Sequence, residues 1–326
     1  MKVLKGYDYD DLLLIPRRSE VNSRDEVDLS VNLYNVISLK IPIVASPMKG
    51  IISVDLIKGL SRLGGIGILH RFFNSKLEWQ ASISQIKDYN FGVAIGLNDD
   101  NIYKLALDSG AKIICIDVAN GYLRSILDKT REVKDYIINN GFLHKCLMMA
   151  GNVVTYQGAW DLYLNGAELI RVGIGSGGQC STREVTGVGY PQLSAIDQCY
   201  DRNSEWTVVA DGGINEYGKA TKALAMGAEL VMIGSILART FESANNNGVI
   251  RGMASESFQE EYYTNIDDIK SVEGIETKVE KDISLFKLIK RLTGGIRSGC
   301  TYLNARNLEE LRKNAQWIEV GRGTLK

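Results

Sequence analysis

The sequence predicts a (β/α)8 TIM barrel, an α/β fold, on three observations. Eight short apolar runs rich in β-branched residues recur along the chain, helix-like stretches separate them, and the runs end in small or polar residues. Continuous apolar runs of this length suit parallel strands buried on both faces. A length of 326 residues fits one large barrel or two ordinary domains. A doubly wound sheet needs no particular number of units, so eight in series favour the barrel.

The runs are Ile41–Ser46, Gly65–His70, Phe91–Leu97, Lys112–Val118, Cys146–Asn152, Leu169–Gly175, Trp206–Gly212 and Leu230–Gly234. Helical patterns lie between them, as over Asn101–Ser109, Tyr122–Asn139 and Thr155–Asn165. In the last of these Thr155 reads as N-cap and Gly166 as the residue just past the end. Residues Arg251–Lys281 break the rhythm: they are polar, carry Glu260-Glu261 and Asp267-Asp268, and are long for a connection. Such a stretch is either a lid or a plain surface loop. An apolar helical pattern resumes over Leu285–Arg291. The expectation is one barrel domain over residues 1–326 with a mobile C-terminal flap at about 251–281.

Composition narrows the function. The formal net charge is -1, which gives no field that would gather nucleic acid or an acidic membrane. No apolar run reaches the roughly 20 residues that span a bilayer, and Met1–Gly6 lacks a signal-peptide core. Five scattered cysteines form no CxxC pair and no disulfide framework, so a cytoplasmic setting is expected. Only two histidines, His70 and His144, are present. That excludes a multi-histidine metal centre.

In a barrel the site is built at the C-terminal ends of the strands. The sixth run ends in Gly173-Ile174-Gly175-Ser176-Gly177-Gly178-Gln179-Cys180-Ser181-Thr182-Arg183. The glycines free the backbone for sharp turns, and a cysteine on such a loop is placed as a nucleophile, with Arg183 near enough to favour a thiolate. The alternative is a structural thiol on a glycine-rich turn. The seventh run ends in Ala210-Asp211-Gly212-Gly213, where a carboxylate can take both hydroxyls of a ribose or can simply cap a turn. The eighth ends in Gly234-Ser235, a plausible phosphate cradle beside a helix start. After the fourth run, Asp117 either touches a second ligand or caps a helix. No GxGxxG follows the first strand, so a dinucleotide would lie across the barrel mouth.

At these residues the chain resembles the IMP dehydrogenase/GMP reductase family along nearly its whole length. The likeness is carried by Tyr9-Asp10-Asp11-Leu12-Leu13-Leu14-Ile15-Pro16, by the cysteine loop and by Ala210–Gly213. Asp117–Tyr122, Ala150–Thr155, Thr186–Ala195 and Gly294–Tyr302 are more similar to the reductase branch. Two absences agree with that branch. There is no room for the inserted regulatory CBS pair of most dehydrogenases, and no arginine lies between Arg251 and Arg291 to play the water-activating arginine of their flap.

The resemblance implies roles. Cys180 would form a covalent bond to purine C2, with Thr182 and Glu273 handling protons as ammonia leaves. Asp211, Gly212 and Gly213 would hold the ribose, and Gly234 and Ser235 the phosphate. Gly252, Met253, Ala254, Lys270 and Gly274 would line the base. NADPH would meet Ser23, Arg24, Arg71, Asp117, Val118, Ala119, Ile174, Gly175, Ser298, Gly299, Cys300 and Thr301, partly across a subunit boundary of a homotetramer. Carbonyls of Gly175, Gly177 and Cys180, with Arg183 nearby, would hold a potassium ion. The implied reaction is NADPH-dependent reduction of GMP to IMP and ammonia. The alternatives are a dehydrogenase lacking the insert, a reductase of a modified purine nucleotide, and a silent nucleotide-binding regulator. The chain departs from the family's pattern at Lys49, Arg71, Ser176, Gly178, Ser181, Ser235 and Lys270.

Overall fold

A computed structural model describes residues 3–99, 101–262 and 271–321. Eight parallel strands close into a barrel: Ile43–Ala45 (β1), Ile66–Leu69 (β2), Phe91–Ile95 (β3), Ile113–Ile116 (β4), Leu147–Val153 (β5), Leu169–Val172 (β6), Thr207–Asp211 (β7) and Leu230–Ile233 (β8). All eight coincide with the apolar runs. Closure is direct, because β8 pairs with β1 in parallel, Val231 opposite Ile43. That pairing removes the open-sheet alternative.

Eight helices wrap the strands: Val54–Arg62 (α1), Lys76–Ile86 (α2), Ile102–Asp108 (α3), Arg124–Asn139 (α4), Tyr156–Leu164 (α5), Gln192–Cys199 (α6), Tyr217–Met226 (α7) and Leu285–Tyr302 (α8). Each buries one stripe, as α1 does with Leu56, Ile57 and Leu60. Their starts are capped by side chains. Ser53, Ser75 and Ser284 accept from the amides of Leu56, Glu78 and Lys287, and Thr155 accepts from Gly158 N as its position in the sequence predicts. One core fills the space between strands and helices. A second fills the barrel interior, with Val44, Ile68, Cys115, Met149, Val209 and Met232 among its residues. An antiparallel hairpin, Val31–Leu33 with Ile37–Leu39, joins that inner cluster through Leu33, Ile37 and Leu39 and closes the N-terminal end of the barrel.

Two stretches differ from expectation. The last barrel helix continues eleven residues beyond Arg291, to Tyr302, straight through Gly294 and Gly295. Gly295 and Gly299 thin the helix where it meets α7: a Cβ on Gly295 would stand 3.2 Å from Tyr217 Cβ, and one on Gly299 only 2.5 Å from Thr221 Cγ2. The polar stretch after β8 is also more ordered than a plain loop. Val249–Arg251 pairs antiparallel with Glu276–Lys278, and a helix, Glu256–Tyr262, follows the first leg. Among the described residues no helix is long and apolar enough to cross a membrane.

Candidate active site

The chemistry gathers where β4, β6, β7 and β8 end. At the end of β6 the chain must turn tightly under its neighbours. Gly173 adopts φ +142°, and a Cβ there would sit 2.2 Å from the carbonyl of Asp211, so only glycine lets the loop leave the strand in this direction. The loop then carries Cys180, half-buried, with its amide donating to Gly177 O at 3.0 Å.

The second leg of the flap zips onto that loop. Ser181 N donates to Glu273 O and Ile275 N to Gln179 O, both at 3.0 Å, and Cys180 bridges Gly274 antiparallel. The first leg joins the same ladder: Glu273 N donates to Ala254 O at 3.0 Å and Gly252 N to Ile275 O at 3.1 Å. Gly252 is tightly constrained there, for a Cβ would meet Gln179 O at 2.7 Å. The outcome is a short relay. Cys180 Sγ lies 3.1 Å from Thr182 Oγ1, and the Thr182 hydroxyl donates to Glu273 Oε2 at 2.8 Å. Three residues from two separated segments thus meet in one line.

Beside the relay stands a buried ionic hub that the sequence reading missed. Arg171, inside β6 and 6% exposed, donates through Nη1 to Asp117 Oδ1 at 2.9 Å and through Nε and Nη2 to Asp211 Oδ2 at 3.1 and 2.9 Å. Asn152 Nδ2 adds a third donor to the same Asp211 oxygen at 2.9 Å and also reaches Gly173 O. Asp117 and Asp211 thus spend their contacts on Arg171 and not on the caps of the following helices, which are Leu123 and Glu216. All three contacts on Asp211 converge on Oδ2; among the described residues Oδ1 has no hydrogen-bond partner. The only hint in the sequence was an arginine in the apolar run Leu-Ile-Arg-Val.

Gly212 and Gly213 follow Asp211 and lie against Ser176, whose hydroxyl donates to Asp211 O at 3.2 Å. Ser235 reaches the same place from β8, its hydroxyl 3.6 Å from where a Cβ on Gly178 would stand. Tyr9 packs under Gly213; it is 2% exposed and its hydroxyl has no partner among the described residues. Of the predicted substrate residues, Gly252, Ala254 and Gly274 join the ladder on the cysteine loop, and Gly212, Gly213 and Ser235 come close to that loop through Ser176 and Gly178. Lys270 lies outside the described residues.

The predicted cofactor residues fall into two groups. Arg71, Asp117, Val118, Ala119, Ile174 and Gly175 follow the C-terminal ends of β2, β4 and β6. Arg71 Nε is buried without a partner among the described residues, while its guanidinium sits 4.3 Å over the Phe72 ring. Ser23, Arg24 and Ser298–Thr301 lie instead on the outer wall, where Arg24, Tyr217 and Ser298 line a basic groove of about 720 Å³. Cys300 points into the core, fully buried, and burial pushes its thiol up to about 12. Arg183 does not turn its charge on the thiol. It pairs with Asp8 at 3.1 Å and donates to Tyr190 O at 2.6 Å.

This fold defines an oxidoreductase-type (β/α)8 barrel that carries a half-buried cysteine on the loop after its sixth strand. The family model for the IMP dehydrogenase / GMP reductase domain matches residues 6–326, and the chain belongs to that family. It is 33% identical to the inosine-5'-monophosphate dehydrogenase of Cryptosporidium parvum, over 97% of this chain and 92% of that protein. It is 34% identical to a GMP reductase of Buchnera aphidicola (96% and 93% covered) and 33% identical to human GMP reductase 2 (96% and 94%).

Proposed function

We propose that this chain is a GMP reductase, converting GMP to IMP and ammonia with NADPH. The observation that carries the reading is the relay Cys180–Thr182–Glu273. Overall identity does not separate dehydrogenase from reductase relatives, since both stand at about one third.

The chain's own residues account for the proton traffic. The Thr182 hydroxyl donates to Glu273, so it is free to accept from the thiol. A proton passing along this line leaves a Cys180 thiolate and a neutral Glu273. The thiolate bonds to purine C2, and the new tetrahedral centre must then lose its amine. Glu273, now an acid, protonates that nitrogen, so ammonia leaves and the carbon–sulfur bond remains. When bound, NADPH supplies the hydride to C2. After that the carbon–sulfur bond breaks and IMP departs. The carbonyl-rich cysteine loop suits a potassium ion held by Gly175, Gly177 and Cys180, because such ions favour backbone oxygens. The unpartnered Arg71 Nε and the two groups of cofactor residues fit NADPH spanning two subunits of a homotetramer. The ribose belongs on the open oxygen of Asp211, beside Gly212 and Gly213, and the phosphate at Gly234 and Ser235.

A dehydrogenase working on IMP needs a base for water. The arginine-free stretch from 252 to 290 supports the reductase instead. The test is Glu273→Gln. Ammonia release from GMP should fall by two orders of magnitude or so, while hydride exchange between IMP and NADP+, followed at 340 nm, should fall distinctly less, because it needs the thiolate but no acid at the amine. Ammonia release at the wild-type rate sinks the assignment, as does a wild-type enzyme that oxidises IMP readily and ignores GMP.

A further inference from the structure

Glu261, on the flap helix, lies between two cations from different segments. Its Oε1 is 2.7 Å from Lys49 Nζ, which comes from the loop after β1, and its Oε2 meets the guanidinium of Arg251 at the foot of the flap. Arg251 also donates to Ser257 O at 3.2 Å, within the same helix. Next to this bridge Phe258, 2% exposed, packs edge-on against Phe72 of the loop after β2, with ring centroids 4.8 Å apart. One face of the helix is thus fixed to the barrel rim.

Another side chain of the helix holds the leg that carries Glu273. Gln259, 4% exposed, donates through Nε2 to Ala254 O at 3.1 Å and to Ser271 O at 3.3 Å. Ala254 O also accepts from Glu273 N, and Ser271 lies two residues before Glu273. A continuous run of contacts therefore leads from Lys49 on the rim to the relay over Cys180.

We propose that Glu261 is a positioning residue: by bridging Lys49 and Arg251 it docks the flap helix on the rim and holds Glu273 against Thr182. Its effect on turnover rests on the reading given above, whereas the docking itself does not. The physical need is plain. Burial, and after it the Arg251 charge, hold the Lys49 ammonium below the ordinary lysine value. The two cations repel, and the carboxylate between them turns repulsion into attraction. With Lys49 and Glu261 side chains 25% and 43% exposed, salt should weaken the bridge.

The test reads Cys180 directly, by its rate of alkylation with iodoacetamide in nucleotide-free enzyme. The other four cysteines are fully buried, so one thiol dominates the signal. Glu261→Gln should raise that rate about fivefold, the scale of two partly exposed ion pairs, and should lower ammonia release by a similar factor with GMP affinity little changed. Lys49→Met should act in the same direction but less, since Arg251 still holds Glu261; it approaches the bridge from the barrel side, so a folding defect in the flap variant leaves the question answerable. Lys49→Arg should behave as wild type, and high salt should move wild type towards Glu261→Gln while barely affecting that variant. Alkylation of Glu261→Gln at the wild-type rate overturns the docking, whatever the substrate. Faster alkylation with unchanged ammonia release overturns the link to Glu273.

Discussion

Both ends of the barrel bury charge, and they use it differently. At the N-terminal end, Glu168 and Glu229 each tie the strand that follows them to a neighbour: Met148 N donates to Glu168 Oε2 at 2.9 Å, and Val208 N to Glu229 Oε2 at 2.8 Å. Lys134 pairs with Glu168, and the Tyr34 hydroxyl donates to the carbonyls of Glu168 and Glu205. At the C-terminal end, Arg171 binds Asp117 and Asp211 together yet leaves Asp211 Oδ1 without a hydrogen-bond partner among the described residues. One end is closed upon itself and holds the strands. The other holds its carboxylates in place but leaves one of their oxygens unpaired among the described residues.

The largest effect should come from the open end. Cys180→Ser should lower turnover by more than about a thousandfold, because a hydroxyl is a far weaker nucleophile than a thiolate. Calorimetry should still detect GMP binding; substantial residual turnover would end the covalent reading.

Removing the hub should cost stability as well as binding. Arg171→Leu leaves two mostly buried carboxylates facing one another without a cation, which typically costs about 3–5 kcal/mol. Urea unfolding at neutral pH should show that loss, and it should shrink in acid as the carboxylates take up protons. An unchanged midpoint would mean that the hub does not hold the mouth together.

The smallest effect belongs to the closed end. Burial pushes the Glu229 carboxyl up to about 7 from an ordinary 4.5. The folded state then binds more protons than the unfolded state between those values, so this residue's contribution falls as pH rises from 4.5 to 7. Glu229→Gln keeps an acceptor for Val208 N and removes the titration. It should stabilise the protein by about 2 kcal/mol at pH 8, flatten the dependence below pH 7 and leave turnover unchanged. Equal wild-type and variant stabilities at pH 8 would contradict the burial argument.

The sequence made some of this readable and hid the rest for physical reasons. Strands buried on both faces write themselves as apolar runs, so all eight were legible. Cys180, Asp117 and Asp211 were legible because strand ends interrupt those runs with polar residues. Arg171 was not, since a lone arginine in Leu-Ile-Arg-Val gives no sign of which side of the barrel it faces. Glu273 was reached through family resemblance alone, because its partner Thr182 is 91 residues away and no local pattern encodes such a meeting. The flap's ladder was hidden for the same reason. The helical pattern over Leu285–Arg291 gave no sign of how far the last helix runs, because glycines normally weaken a helix, whereas Gly295 and Gly299 here pack closely on α7.

Barrel closure also has a meaning in time. A ribosome makes β1 first, yet one edge of β1 has no partner until β8 emerges, nearly 190 residues later. At synthesis speeds of about 5–20 residues per second, that edge waits on the order of ten seconds or more. Leu12–Leu14 waits longer still, for its strand partner among the described residues is Trp317–Glu319. The nascent chain therefore carries unpaired strand edges through most of its production, and this stretch of its life is where chaperones have most to guard.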